Sequence, residues 1–149
     1  MAKMNPRTDV DDLLENLPLA VLATSGDDKP HTSLVAFATA GDQNRLLFAT
    51  NKATKKFENI RSNCHVALLI DNRTNQVSDF MDAIAMTAHG TAVELEGEDR
   101  TRMAEVFLTK HPHLRDFLAS PSTALLLVEV SKYDIARRFQ WVMELMPDD

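Results

Sequence analysis

The sequence predicts a mostly β fold with flanking helices, an antiparallel barrel. Three observations carry this: apolar runs of strand length recur along the chain, turn residues separate the first three by only a few positions, and helical stretches interrupt the rest. Thr8 to Leu17 has a threonine in capping position, acids in its first turn and Val10, Leu13, Leu14 and Leu17 on one face, so a short amphipathic helix is expected before Pro18. Leu19 to Ser25 is a buried strand ending in the turn Gly26 to Pro30, and His31 to Thr39 returns to the turn Gly41 to Asn44. Arg45 to Thr50 is a third strand, which makes an antiparallel meander. A fourth runs from Cys64 to Asp71, with Cys64 expected as a small buried residue, and 72–82 has neither helical nor strand period and is expected as a mobile loop. Ala85 to Leu95 is a strand in which Gly90 marks a bulge or a close backbone approach. Glu98 to Lys110 is a helix with Met103, Val106 and Phe107 inward, and a shorter one follows Pro112. The last strand begins at Ala124 and runs toward Phe139, and the segment beyond it ends in an acidic tail expected to be disordered.

At 149 residues the chain is most simply one domain, 1–149, with 44% hydrophobic and 26% charged residues, an ordinary globular balance. The longest apolar stretch, Ala124 to Val128, is far short of the roughly 20 residues of a spanning helix, and residues 1–16 lack a signal-peptide core; no membrane association and a cytoplasmic location are expected. A net charge of −6 argues against nucleic acid, which needs a basic face. The close basic pairs, Lys55-Lys56 and Arg137-Arg138, suit a small anion better. The histidines show no zinc-like spacing, and no metal is expected; His111 and His113 read as structural or solvent-facing.

The most informative stretch is Arg45 to Arg61. After its strand, Asn51-Lys-Ala is a turn, Thr54 is a helix N-cap, and Phe57 and Ile60 form the inward edge of the helix. Lys55 and Lys56 then fall in the first turn, where the helix already presents partial positive charge, a penalty of roughly 0.3–1 kcal/mol each. Two solvated lysines tolerate that penalty; a phosphate there reverses its sign, taking free N–H groups, the hydroxyls of Thr50 and Thr54 and the ammonium groups together.

This order of strand, Thr-Asn, small residues, Thr-Lys-Lys and helix resembles the phosphate-binding segment of the pyridoxamine 5'-phosphate oxidase-like, FMN-binding split-barrel family, and the likeness extends from Val10 to Trp141. The resemblance implies an antiparallel split β-barrel with FMN as cofactor. It assigns the phosphate to Thr50, Lys55 and Lys56, with Asn51 and Thr54 supporting, and the flavin ring to Ser33, Leu34, Val35 and Ala36 of the second strand. It brings Met86 to the flavin from the adjoining strand, although Ala85 stands where pyridoxamine oxidases place a glutamine. It further implies a homodimer with flavin sites at its interface, to which Arg138 and Trp141 reach from the partner, and it puts His31 and His89 near the flavin surface.

The departures bear on activity. The basic, histidine-containing C-terminal segment with which true pyridoxamine phosphate oxidases grip their substrate is missing; this chain has Arg137-Arg-Phe-Gln-Trp141 and acids. The expected function is therefore an FMN-dependent oxidoreductase of other substrate, with a small-molecule redox partner. An FMN electron carrier, or a split-barrel binding or stress-response module holding no flavin or a haem instead, remain as alternatives. No acid, base or nucleophile motif marks catalytic residues, and flavin chemistry does not require one.

Overall fold

The structure, a computed structural model, describes residues 5–139 and 141–147. Strands β1 (Leu19–Gly26), β2 (Lys29–Thr39), β3 (Arg45–Asn51), β4 (His65–Asp71), β5 (Ile84–Glu94), β6 (Thr123–Arg137) and β7 (Trp141–Leu145) lie in the order β3-β2-β1-β4-β5-β6-β7. All neighbours are antiparallel, and β3 also pairs with β6 from Arg45↔Glu129 to Asn51↔Thr123, so six strands close into a barrel. Strand β6 has the length for two roles: its first half takes β3 and its second half takes β7.

Period-two alternation sorts the side chains. Ala20, Leu22, Val35, Phe37, Leu46, Phe48, Leu68, Ile70, Met86, Ala88, Leu126 and Ile135 fill the interior. Helix α1 (Pro6–Asn16) contributes Val10, Leu13 and Leu14 to this core, and α2 (Lys55–Ser62) contributes Phe57 and Ile60. A second core forms outside, where Ala38, Leu47, Ala49 and Leu125 of β2, β3 and β6 meet Phe107 and Leu108 of α4 (Gly97–Lys110) and Leu118 of α5 (Arg115–Ala119). The outer face of β1, β4, β5 and the second half of β6 carries no such cover: Val21, Ala23, Ala67, Leu69, Ala85, Thr87 and Ala136 are all half-exposed.

Polar contacts tie α1 to the barrel. Tyr133, fully buried in β6, donates its hydroxyl to the Gln43 carbonyl at 2.6 Å, and burial raises its pKa well above the ordinary value. The Gln43 amide in turn donates to the Arg7 carbonyl (2.9 Å) and the Asp11 carboxylate (2.6 Å). The Lys110 ammonium donates to the carbonyls of Leu14 and Leu17 at the end of α1 and sits 3.9 Å above the Phe37 ring centroid; burial lowers its pKa to about 8. His111 is buried, with Nε2 2.7 Å from the Phe37 carbonyl oxygen.

Several expectations need correcting. Helix α1 starts at Pro6 rather than at Thr8, because Asn5 caps it, its side chain accepting from the amides of Arg7 and Thr8. Cys64 is exposed, just before β4 begins, so the buried run starts at Val66. The 72–82 stretch is organised: the Asp79 carboxylate accepts from the Thr74 and Asn75 amides and the Thr74 hydroxyl, and one helical turn, α3 (Asp79–Asp82), follows. Beyond β6 the chain turns back as β7 through Leu145 and Met146 to Pro147; the aspartates of the expected disordered tail, Asp148 and Asp149, lie outside the described residues, as does Gln140. Gly90 behaves as anticipated. The register shifts between His89 and Gly90, and a Cβ on Gly90 would stand 2.2 Å from the Glu129 carbonyl oxygen.

Replacing Tyr133 by Phe should leave the buried Gln43 carbonyl without its donor and cost about 1–3 kcal/mol. Urea unfolding of the two proteins should show a lower midpoint at unchanged slope; an equal midpoint would mean that α1 is held by packing alone.

Candidate functional site

The barrel is split between β2 and β3. These strands pair for only three positions, Phe37↔Phe48, Ala38↔Leu47 and Thr39↔Leu46, after which Ala49, Thr50 and Asn51 pair with β6 alone. Antiparallel alternation fixes what β2 exposes to the gap. Phe37 donates its amide to Pro18 at 3.3 Å, so Val35 and Ser33, two and four residues back, also direct their backbone groups to β1. The N–H and C=O of Leu34 and Ala36 point the other way; the Phe37↔Phe48 pairing still engages the Ala36 carbonyl, and beyond it the Ala36 N–H and both groups of Leu34 face the side from which β3 has departed.

The sequence-assigned residues of β2 therefore divide. Leu34 is 64% exposed, and Ala36 shares its outward face. Val35 is buried in the barrel core, and Ser33 faces the same interior, its Oγ buried without a hydrogen-bond partner, as is Nδ1 of His31. Met86 is fully buried, with Ile70 and Ile135 paired to it in the sheet, so its side chain belongs to the core and a contact from this strand is one of backbone; Ala85 and Thr87 are the residues of β5 that look outward.

At the end of β3 the local hydrogen bonds build a compact turn. The Asn51 side chain accepts from the Ala53 amide at 2.8 Å, and the Thr54 hydroxyl donates to the Asn51 carbonyl at 2.8 Å. Thr54 also caps α2, accepting from the Phe57 amide at 3.3 Å, and its hydroxyl lies 3.3 Å from that of the buried Thr50. Helix α2 begins at Lys55, so both lysines occupy its first turn. Lys55 is partly compensated by Glu58 at 3.7 Å, while Lys56 makes no ion pair among the described residues. Helix α2 can lie this close because Gly26 has no side chain: a Cβ there would stand 2.2 Å from Oδ1 of Asn59, whose amide donates to Thr24 at 3.1 Å. Thr50, Asn51, Thr54, Lys55 and Lys56 thus converge at one end of the barrel, on the same side as the β2 gap.

Arg138 and Trp141 do not join them. They sit at the β6–β7 turn, the guanidinium 5.2 Å from the indole centroid. Thr50 pairs with Ala124, whereas the turn begins after Arg137; those thirteen residues amount to roughly 40 Å of strand path at about 3.3 Å each. One chain cannot bring both ends of β6 to the same small ligand. The histidines are also dispersed: Nε2 of His89 is 2.8 Å from the Asp134 carboxylate on the open outer face, and the described residues hold no group of three or more potential metal ligands.

With this geometry in view, the likeness to known proteins is specific. The family model for pyridoxamine 5'-phosphate oxidase matches residues 7–135. The chain belongs to the pyridoxamine 5'-phosphate oxidase-like family. Among solved structures, a haem-binding protein from Mycobacterium smegmatis superimposes with a TM-score of 0.86 at 11% identity, covering 99% of this chain. The chain spans only 60% of the length of that protein. A FAD-binding protein from Mesorhizobium loti matches at TM-score 0.69 and 14% identity over 89% of this chain and 94% of its own. A putative pyridoxamine 5'-phosphate oxidase from Listeria innocua matches at 0.67 and 22% identity, over 88% and 98% respectively. At these identities the structures share the fold of this family member, a split barrel, and the names on them do not transfer. No curated protein matches the sequence. Among the described residues no helix is long and apolar enough to cross a membrane.

Thr54→Ala should remove the α2 cap and lower stability by about 1 kcal/mol, read from thermal melting of the unliganded protein. Thr54→Ser, which keeps the hydroxyl, should restore most of it. Equal melting of all three proteins would show that packing of Phe57 and Ile60 holds the helix start without a cap.

Proposed function

We propose that this family member binds FMN and is an FMN-dependent oxidoreductase acting on a small molecule other than pyridoxamine phosphate. The observation that carries the reading is the convergence at one barrel end of the α2 N-terminus, the Thr50 and Thr54 hydroxyls and the uncompensated Lys56, next to the backbone edge of β2 at Leu34 and the Ala36 N–H, which β3 leaves unpaired. These groups fit a phosphomonoester and an attached planar heterocycle: amides, hydroxyls and ammonium groups for the dianion, strand-edge N–H and C=O groups for ring atoms that accept and donate. When bound, the flavin supplies the electron or hydride transfer. The chain's residues hold its phosphate, orient the ring along β2 and exclude water from one ring face. Ser33, Val35 and Met86 support this surface from the core side. Pyridoxamine phosphate is disfavoured as substrate because the C-terminal hairpin carries Arg138 and Trp141 in place of a basic, histidine-containing grip.

The same reading includes a homodimer. The uncovered outer face of β1, β4, β5 and β6, with Val21, Ala23, Ala67 and Leu69 half-exposed, is suited to cover by a second copy, and Arg138 and Trp141 approach a phosphate-end ligand only from a second chain. A haem-binding alternative draws on His89, whose ring is oriented by Asp134 on that open face, and on the name of the mycobacterial neighbour. The absorption spectrum of the purified protein separates a flavin from a haem.

Replacing Lys55 and Lys56 together by Gln should weaken FMN binding at least tenfold, with the larger share from Lys56, and leave riboflavin affinity and melting of the unliganded protein nearly unchanged. Calorimetric titration of both ligands checks it; an equal loss for both would make the lysines structural. Light scattering should give about twice the chain mass, and a monomer that retains full FMN affinity would remove the shared site.

A further inference from the structure

Lys110, the last residue of α4, lays its half-buried side chain against the end of α1. Its amine donates to the Leu14 carbonyl at 2.9 Å and the Leu17 carbonyl at 2.7 Å and lies 3.9 Å from the Phe37 ring centroid. Lys52, Lys55 and Lys132 each have a carboxylate partner; Lys110 makes no ion pair among the described residues. An amine taken out of water without a counter-charge favours its neutral form, and burial lowers the Lys110 pKa to about 8. About a tenth of it is then neutral at pH 7, against roughly three parts in ten thousand for an ordinary lysine. Losing the proton breaks neither contact with α1, because a neutral amine still has two N–H groups for two carbonyl oxygens, and it frees a lone pair.

The amine is also reachable. A cleft of about 610 Å³ opens between α1, the β2–β3 turn and α4, with Lys110 in its wall beside the apolar Leu14, Ala38 and Val106. Its volume suits a small molecule. The charged groups that face it from the other elements are carboxylates, Asp11 and Glu15 of α1 and Asp42 of the β2–β3 turn, all exposed. At its own helix end the neighbours are His111, whose pKa burial lowers, and His113. An anionic reagent is therefore repelled at the mouth, and an uncharged one is not. The cleft lies at the opposite end of β3 from the Asn51 turn and beside α4, away from both the phosphate cradle and the uncovered sheet face.

We propose that Lys110 is a nucleophile and that this cleft is a covalent binding site for small uncharged aldehydes. The amine nitrogen attacks the carbonyl carbon, whose π electrons move to oxygen; one N–H proton passes to that oxygen to give the carbinolamine. The oxygen then departs as water with the second N–H proton and leaves an imine, so no oxidant or reductant enters. An imine nitrogen carries no N–H, and the adduct releases the Leu14 and Leu17 carbonyls, which couples occupancy of the cleft to the hold on α1.

The test incubates the full-length protein with propanal and sodium cyanoborohydride at pH 7 and maps the alkylated lysines by mass spectrometry of the digest. Lys110 should be alkylated at least tenfold faster than the mean of Lys29, Lys52, Lys55, Lys56 and Lys132, the lower basicity of its amine taking back part of the gain in neutral fraction. That ratio should fall as the pH rises from 8 to 10, where the exposed lysines deprotonate in turn. Glyoxylate, an anionic aldehyde, should show a ratio several-fold smaller, and Glu15→Gln with Asp42→Asn should raise it toward that of propanal. In guanidinium chloride the preference for Lys110 should vanish. The proposal is overturned if Lys110 is alkylated no faster than the exposed lysines, if glyoxylate and propanal select it equally, if the ratio holds constant from pH 8 to 10, or if the preference survives unfolding.

Discussion

Closure of the barrel through β3 and β6 is the constraint on which the rest depends. Seven consecutive residues of β3 pair with β6 while only three pair with β2, so the strand that completes the cylinder is also the strand that leaves its neighbour. The departure spares the backbone edge of β2 and delivers the chain, through the Asn51 turn, to a helix start beside that edge. Had β3 continued along β2, the N–H of Ala36 and both backbone groups of Leu34 would be consumed by the ladder. The gap is stable because α2 packs Phe57 and Ile60 into the barrel core, and because the close approach of β1 and α2 at Gly26 lets Asn59 reach Thr24.

The same strand explains the asymmetry of the surface. The first half of β6 is covered outside by α4 and α5, which fill a second core against Leu47, Ala49 and Leu125. Its second half passes beyond those helices and pairs with β7, leaving an outer face of small and medium apolar residues without a covering element. Polar groups on that face occur as a paired set: Asp134 takes both His89 and Lys132, and Lys132 also reaches Glu144. A face of this kind, apolar between satisfied charges, is where association and ligand binding have most to gain from removing water.

How much of this was legible in the sequence depends on the range of the interaction that decides it. Local chemistry was readable: the Thr54 cap, the first-turn lysines, the inward edge of α2, the Gly90 irregularity and six of the seven strands follow from spacing and side-chain type alone. The pattern around Lys55 and Lys56 also carried the family. The α1 cap was misplaced by three residues because Asn5 and Thr8 are both competent caps, and Pro6, favoured at the first helical position, settles the choice for Asn5.

Tertiary structure decided what alternation by itself leaves open. A run such as Ser33-Leu34-Val35-Ala36 states that neighbours face opposite ways, but only the register with β1 says that Val35 enters the core and that the backbone of Leu34 and Ala36 faces the gap. Met86 is apolar in either setting, and its full burial between Ile70 and Ile135 is a property of three strands together. β7 is too short to declare itself, since five residues gain a ladder only when the far end of β6 is free to pair. The chain's own letters determined a β-rich fold with a cationic helix start; the long-range pairing of β6 determined which residues that start faces, because hydrogen-bonded register is set between strands and not within them.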